Sequence, residues 1–184
     1  NGIDLSSFHP ETTDFEEKYN LQGKYVILGV ASEWTNRKGL KDFIKLEEML
    51  DRTKYRIVLV GLTEKQIEEL PDTIIGIKRT QNIQELVGIY TRANIFFNPT
   101  YEDNFPTTNL EAIACGTPVI TYNTGGSPEA VTEKTGVVCK AGDVESVKSK
   151  IIDCISKKME IANEQYDYKQ MVDCYIELYR KIVK

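Results

Sequence analysis

Two cations follow an apolar run in the first part of the chain. Arg37 and Lys38 come after the run over 25–31 and stand where a helix is predicted to begin. A helix N-terminus already carries partial positive charge and N–H groups without partners, so further cations there disfavour the helix unless an anion binds. Arg37 offers a planar fork and Lys38 a point charge, and both suit a phosphate group. The pair therefore predicts a phosphate site, with a solvated basic pair as the alternative.

A second loop, over 98–111, carries carboxylates and the start of another predicted helix. The backbone N–H groups of Thr107 and Thr108 are placed to hold phosphate or sugar oxygens. Glu111 lies one helical turn further on, where it reaches a ribose diol. Two structural alternatives stay open. Glu111 can satisfy backbone donors in a capping box with Thr108, and Asp103 can be a turn or cap residue.

The third loop of interest contains the adjacent glycines Gly125 and Gly126. Glycine permits close approach of the backbone to a ligand, and a simple turn is the alternative. Ser127 and Pro128 follow, and they predict the cap and the first position of a short helix.

The elements that position these loops alternate along the chain. Short apolar runs predict strands, and runs with near-helical spacing predict helices between them. The predicted strands cover 25–31, 55–60, 73–77, 95–97, 118–121 and 136–139. The predicted helices cover 39–51, 64–70, 82–92 and 107–115, followed by two long helices, the last within 163–184. Residues 1–22 have no sustained period and are predicted to be an opening loop or linker.

Strands that alternate with helices indicate a doubly wound, Rossmann-like α/β fold, with a parallel sheet of about six strands. In such sheets ligands lie beyond the carboxyl ends of the strands, at the topological switch point. The three loops above all follow strands, so we expect them at that edge. The apolar stripes of the two long helices are expected to pack against the core or a neighbouring domain.

Composition excludes several classes of function. The chain has 184 residues, 41% apolar and 28% charged, which fits one domain at about 100–200 residues per domain. A net charge of −5 argues against nucleic acid as a partner. No apolar run approaches the length of about 18 residues that a membrane span needs. The chain opens without an initiator Met or a signal peptide, which predicts a piece of a longer protein.

Metal-ligating and nucleophilic groups are sparse. The only histidine is His9, beside Pro10 in a polar segment, which is a poor place for the base of a catalytic triad. The four cysteines show no CxxC spacing, so no zinc site is predicted. We expect buried thiols in a reducing compartment. The cysteines are Cys115, Cys139, Cys154 and Cys174.

Several segments together resemble the C-terminal, donor-binding domain of the retaining, GT-B-fold glycosyltransferases of family 4, often called glycosyl transferases group 1. The resemblance covers almost the whole chain and rests on the order and spacing of the segments. One is a pair of acids, Asp103 and Glu111, with seven residues between them. The matching segments are 1–10, 37–39, 75–90, 103–120 and 125–129.

The resemblance implies roles for individual residues. Lys38, with Arg37, would neutralise the diphosphate leaving group. Arg79 and its neighbours would lie against the nucleobase, Glu111 would bind the ribose hydroxyls, and Asp103 would contact the donor sugar. The remaining donor-binding positions are the backbone around Phe105, Thr107 and Thr108, and the glycine loop with Gly125, Gly126 and Glu129.

Three features depart from the family pattern. Asp103 stands where the family usually has Glu, and Glu102 lies beside it. The common glycine-arginine pair after the first strand is Gly29-Val30, with Arg37 as a replacement for the arginine. The acceptor-binding N-terminal domain is absent from the sequence.

The implied activity is transfer of a sugar from a UDP- or GDP-linked donor to an acceptor hydroxyl, with retention of configuration. No Asp-x-Asp occurs, which is consistent with metal independence, and no cofactor is expected. The implied partners are a nucleotide sugar, the missing acceptor domain and a saccharide or lipid-linked acceptor, in polysaccharide biosynthesis. The implied location is cytoplasmic, with the inner membrane face reached through the missing domain. The alternatives are a non-catalytic nucleotide-sugar-binding or assembly module, and a nucleotide-sugar epimerase of the same architecture.

Overall fold

Six parallel strands form the sheet of the computed structural model, which describes residues 1–157 and 166–183. The strands are β1 Tyr25–Val30, β2 Tyr55–Val60, β3 Ile74–Ile77, β4 Ile95–Asn98, β5 Val119–Tyr122 and β6 Gly136–Cys139. Their order across the sheet is β3-β2-β1-β4-β5-β6, and every neighbouring pair is parallel. The chain reverses its direction of winding between β1 and β4, so the topological switch point lies there. The predicted doubly wound α/β fold is confirmed.

Helices cover both faces of this sheet. They are α1 Phe15–Lys18, α2 Leu40–Met49, α3 Glu64–Glu68, α4 Ile83–Arg92, α5 Thr107–Ala114, α6 Val144–Lys157 and α7 Tyr168–Ile182, with 3₁₀ turns over Asn36–Lys38 and Ser127–Ala130. One face packs against α2, α3 and α6, and the other packs against α1, α4 and α5. Burial of each large apolar side chain between these layers contributes about 1.5–3 kcal/mol.

Local capping explains where two helices begin. Thr63 and Gln66 form a capping box at the start of α3, and the Asn82 side chain accepts from the Glu85 N–H at the start of α4. The side chains of Thr63 and Asn82 satisfy N–H groups that a helix cannot satisfy internally. The helix predicted over 64–70 ends earlier than expected, at Glu68.

The opening segment contains one helix that the sequence analysis missed. Residues 1–22 were predicted to be a loop, but α1 forms over Phe15–Lys18. Phe15 is buried against the α4 layer of the core. A helix of four residues is too short to show a period of 3.6 residues, so the pattern gave no signal.

The two long helices differ in how their apolar stripes are used. Val147, Ile151 and other residues of α6 are buried against the sheet. In α7, by contrast, no described residue is buried, and the apolar residues Tyr175, Tyr179 and Ile182 are exposed. The helix predicted within 163–184 falls partly outside the described residues. No helix in the described parts of the chain combines the length and the apolar composition needed to cross a membrane.

The cysteines divide in the same way. Cys115, Cys139 and Cys154 are buried thiols, as predicted, whereas Cys174 is exposed. The prediction was wrong for Cys174 because it lies on α7, of which no described residue is buried. Burial raises the pKa of the Cys115 thiol to about 12, so this thiol stays protonated at neutral pH.

Candidate functional site

An ion pair joins two loops at the carboxyl edge of the sheet. Lys38 Nζ lies 2.6 Å from Asp103 Oδ2, and the two side chains are only 24% and 18% exposed. The other oxygen of Asp103, Oδ1, accepts from the Phe105 N–H at 3.2 Å. Asp103 is therefore a turn residue, which was the structural alternative to a binding role, and it is also the partner of Lys38. The neighbouring Glu102 is exposed.

The basic pair lies just before α2 rather than in its first turn. Arg37 and Lys38 belong to the 3₁₀ turn over Asn36–Lys38, and Gly39, with φ of 74°, separates that turn from the helix. The helix predicted from residue 39 begins at Leu40, so the pair lies at the helix start as expected, in a turn of its own. The left-handed backbone at Gly39 is unfavourable for other residues.

Backbone contacts hold the lysine turn against the loop after β4. The Tyr101 N–H donates to the Arg37 carbonyl oxygen at 2.7 Å. A Cβ at Gly39 would collide with the carbonyl oxygen of Pro99, so glycine is required for this close approach. The Tyr101 hydroxyl also donates to Asp42 on α2 at 2.8 Å. These contacts fix the distance between the loops that carry Lys38 and Asp103.

The N-terminus of α5 lies directly after Asp103 and Phe105. The helix begins at Thr107, after Pro106, which has no N–H. No side chain of the described residues caps this end. The capping-box alternative is wrong because Thr108 is the second residue of the helix rather than its cap. The first turn therefore presents its N–H groups at the carboxyl edge, where they suit an anion.

The carboxylate of Glu111 lies between two hydroxyl groups that donate to it. Tyr90 Oη donates to Glu111 Oε2 at 3.0 Å, and Thr107 Oγ1 donates to Oε1 at 3.3 Å. Burial raises the pKa of Glu111, and the hydrogen bonds from Tyr90 and Thr107 offset part of that rise. Burial also raises the pKa of Tyr90 well above its usual range, so its hydroxyl is a permanent donor.

The glycine pair packs two loops together. A Cβ at Gly125 or Gly126 would collide with the carbonyl oxygens of Asp103 and Asn104, and the Gly126 N–H donates to the Asp103 oxygen at 3.0 Å. Gly125 also has a left-handed φ of 50°. The glycines thus bring the 3₁₀ turn over 127–130, with the exposed Glu129, against the loop that carries Asp103. Ser127 is buried as the first residue of that turn and does not cap it, contrary to the prediction.

A buried polar network beneath these loops was not predicted from the sequence. Asn98 Nδ2 donates to Asn109 Oδ1 at 2.8 Å, and Asn109 Nδ2 donates to the Ser127 carbonyl at 3.0 Å. The hydroxyls of Thr121 and Ser127 lie 2.6 Å apart. All four residues are buried. The network fixes α5 relative to the ends of β4 and β5. The sequence feature that indicates it is Asn98, a polar residue at the end of an otherwise apolar strand.

Two clefts open at the carboxyl edge. The larger, of about 400 Å³, lies beyond β1, β2 and β3 and is lined by Val30, Ala31, Ser32, Val60, Gly61, Lys78, Arg79, Thr80 and Leu86. The smaller, of about 240 Å³, is lined by Asn1, Arg37, Glu102, Asp103, Asn104 and Phe105. Lys38 and Glu111 line neither cleft: the first is bonded to Asp103, and the second to Tyr90 and Thr107. Among the described residues, no group of three His, Cys, Asp or Glu side chains is arranged to hold a metal ion.

The chain matches a known family. The model of the family Glycosyl transferases group 1 matches residues 11–171. The chain belongs to this family. It is 27% identical over 161 residues to the capsular polysaccharide biosynthesis glycosyltransferase CapM of Staphylococcus aureus, a match that covers 82% of the chain and 42% of the relative. The chain spans about half the length of the curated relatives it matches.

Solved structures support the same fold. The HepE protein of Anabaena in complex with UDP-glucose matches with a TM-score of 0.83 and 17% identity, over 98% of this chain and 56% of that one. The C-terminal domain of the group 1 glycosyl transferase LpcC of Francisella tularensis matches with a TM-score of 0.71 and 22% identity. That match covers 95% of this chain and 98% of the other. The resemblance to the glycosyl transferases group 1 that the sequence motifs indicated is confirmed.

Proposed function

We propose that this chain is the nucleotide-sugar donor-binding domain of a retaining glycosyltransferase. One observation carries the proposal: cations, an uncapped helix N-terminus and a partly buried carboxylate lie on the elements that follow β1 and β4, at the topological switch point of the sheet. This is the place where open α/β sheets bind ligands. The UDP-glucose bound by the HepE protein supports a nucleotide-sugar ligand for a domain of this fold.

Each part of a nucleotide sugar has matching groups in the proposal. The larger cleft, lined by Arg79, receives the nucleobase, and Glu111 accepts from the ribose hydroxyls. Arg37, Lys38 and the N–H groups of Thr107 and Thr108 hold the diphosphate. Asp103, Phe105 and the loop with Gly125, Gly126 and Glu129 surround the sugar, beside the smaller cleft.

The proposed chemistry is stabilisation of a leaving group. The bond between the anomeric carbon and the phosphate oxygen breaks, and its electron pair goes to the nucleoside diphosphate. The oxygen of the acceptor hydroxyl forms the new bond to the anomeric carbon, and its proton goes to the departing phosphate oxygen. Preorganised positive charge where the leaving charge grows is the most effective way to lower such a barrier. Lys38, Arg37 and the dipole of α5 supply that charge. In the proposed mechanism these groups act without a metal ion or a further cofactor, and Asp103 stabilises positive charge on the sugar ring.

The acceptor side of the reaction belongs to the proposal as well. A second domain of the same enzyme is proposed to bind a saccharide or a lipid-linked acceptor and to present its hydroxyl to the sugar. The role of the CapM relative in capsular polysaccharide biosynthesis supports a polysaccharide or its precursor as the product. The proposed location is the cytoplasm, with the second domain at the inner face of the membrane.

Calorimetric titration with UDP-glucose and GDP-mannose tests the donor site directly. The chain is expected to bind one of the two donors, and a Lys38→Ala variant is expected to bind it more weakly. Lys41→Ala is the matched control, because Lys41 is an exposed lysine on α2. A folded chain that releases no heat with either donor, or with UDP or GDP, would contradict the proposal.

A further inference from the structure

Tyr90 is a fully buried residue whose hydroxyl reaches the candidate site. It lies on α4, and its ring packs edge-on against Phe96, with centroids 5.5 Å apart. Its carbonyl oxygen accepts from Thr117 Oγ1 at 2.5 Å. The side chain therefore has one fixed position, and its hydroxyl ends 3.0 Å from Glu111 Oε2.

The Tyr90 hydroxyl occupies one side of the Glu111 carboxylate. Thr107 donates to the other oxygen, so each oxygen of Glu111 has one internal donor. An ionised carboxylate accepts about four hydrogen bonds. One acceptor site on each oxygen therefore remains for an external donor. Two adjacent hydroxyls, as in a ribose diol, match that pattern.

We propose that Tyr90 is a positioning residue for ribose recognition: its hydroxyl holds the Glu111 carboxylate in its ionised form, with the unused acceptor sites toward the ribose. Tyr90 does not touch the nucleotide in this arrangement. The inference rests on the proposed function, because it needs a ribonucleotide at Glu111.

The electrostatics of the site support this role. Burial raises the pKa of Glu111, and the hydrogen bonds from Tyr90 and Thr107 lower it. The other titratable group beside it is Cys115, whose own pKa of about 12 keeps the thiol neutral. Removing the Tyr90 hydroxyl therefore raises the pKa of Glu111 further. The ionised form is the one that accepts from two hydroxyls, so the loss of ribose recognition on acidification moves to higher pH.

The experiment measures a preference rather than an affinity. UDP, GDP and their 2′-deoxy analogues are titrated into the chain across a pH series, and the ratio of affinities for the ribo and deoxy forms is compared. One hydrogen bond to a charged group gives a preference of about tenfold for the ribo form. Tyr90→Phe is expected to reduce the preference near neutral pH and to regain part of it at higher pH.

The chain offers a matched control. Tyr122 is also a buried tyrosine, and its hydroxyl donates to the carboxylate of Asp42 at 3.0 Å, on the other face of the sheet. Tyr122→Phe removes the same kind of hydrogen bond and is expected to keep the ribose preference. If Tyr90→Phe does not fold, a ring-fluorinated tyrosine at position 90 replaces it, because this group is almost the same size and a stronger donor. The fluorinated tyrosine is expected to lower the pH at which the preference for the ribo form is lost on acidification (the acid limb of the preference).

The outcomes separate the inference from the proposed function. If the unmodified chain prefers the ribo forms and changes at position 90 leave both the preference and its acid limb unmoved, the role of Tyr90 is overturned and the donor site stands. If the unmodified chain binds none of the nucleotides, the proposed function fails and this inference fails with it. A reduced preference in Tyr90→Phe, with Tyr122→Phe unchanged, supports the inference.

Discussion

Each edge of the sheet carries a glutamate, buried at the amino edge and partly buried at the carboxyl edge, and the two glutamates have opposite surroundings. At the amino edge, Glu47 is 4% exposed and receives Arg52 Nε at 2.6 Å on Oε1 and Arg52 Nη2 at 2.9 Å on Oε2. The Thr73 hydroxyl also donates to it at 2.5 Å. At the carboxyl edge, the Glu111 carboxylate accepts hydrogen bonds from the neutral hydroxyls of Tyr90 and Thr107. These are its only side-chain partners among the described residues.

This difference appears in the two pKa values. Burial raises the pKa of Glu47, but the hydrogen bonds from Arg52 and Thr73 outweigh burial and leave it below its usual value. Burial dominates at Glu111, whose pKa is raised. The charge at Glu47 therefore stabilises the fold, and the charge at Glu111 costs stability. A partly buried carboxylate that costs stability, at the edge where open α/β sheets bind ligands, is characteristic of a functional group.

Replacing Lys38 is expected to have the largest effect. In the complete enzyme, Lys38→Ala should lower kcat by about 10²–10³-fold, a barrier increase of about 2.7–4 kcal/mol, by analogy with loss of an oxyanion donor. The reason is that the proposed mechanism uses Lys38 to neutralise the developing charge of the diphosphate. Steady-state kinetics measure the effect, with Lys41→Ala as the control. Near-normal turnover in Lys38→Ala would remove Lys38 from the mechanism.

Glu47→Gln is expected to destabilise the fold without changing nucleotide binding. Loss of the charged partner of Arg52 and Thr73 should lower the free energy of unfolding by about 2 kcal/mol at neutral pH. A lowered pKa gives stability that is present above the unfolded-state pKa and is lost as the pH falls through the folded-state pKa. The gap between the two proteins in denaturant unfolding should therefore shrink on acidification, whereas the exposed Glu48→Gln should show little change. A gap that is independent of pH would contradict the role given to Glu47.

Glu111→Gln is expected to act in the opposite direction on stability. Burial holds the pKa of Glu111 above its ordinary value, so removing the costly charge should raise the free energy of unfolding at neutral pH. A raised pKa means that the cost is absent below the unfolded-state pKa and appears as the pH rises through the folded-state pKa. Denaturant unfolding over a pH series measures this, with the exposed Glu102→Gln as the control. The comparison of the two edges would be wrong if Glu111→Gln destabilised the chain as much as Glu47→Gln.

Periodicity and motif spacing predicted the fold well for physical reasons. Wholly apolar runs such as Tyr25–Val30 are typical of strands buried on both faces, and all six strands were found within two residues of their predicted ends. The helix over Phe15–Lys18 was not predicted because it is shorter than two turns. The exposure of the apolar face of α7 was not predicted because a periodic apolar stripe does not reveal what covers it.

The candidate site was predicted as a set of residues but not as a set of contacts. The motifs named Lys38, Asp103 and Glu111, and the structure brings the first two together. The capping-box alternative was wrong because the helix begins at Thr107, as predicted, which places Thr108 inside its first turn. The bond from Tyr90 to Glu111 joins residues 21 positions apart, and only the packing of α4 against α5 reveals it.

A crystal structure of the chain with UDP bound tests the central claim most directly. We predict that the diphosphate lies within hydrogen-bonding distance of Lys38 and of the first turn of α5, with the ribose hydroxyls on Glu111 and the uracil in the cleft lined by Arg79. A nucleotide seated elsewhere, or phosphates and ribose that contact neither Lys38 nor Glu111, would contradict the account.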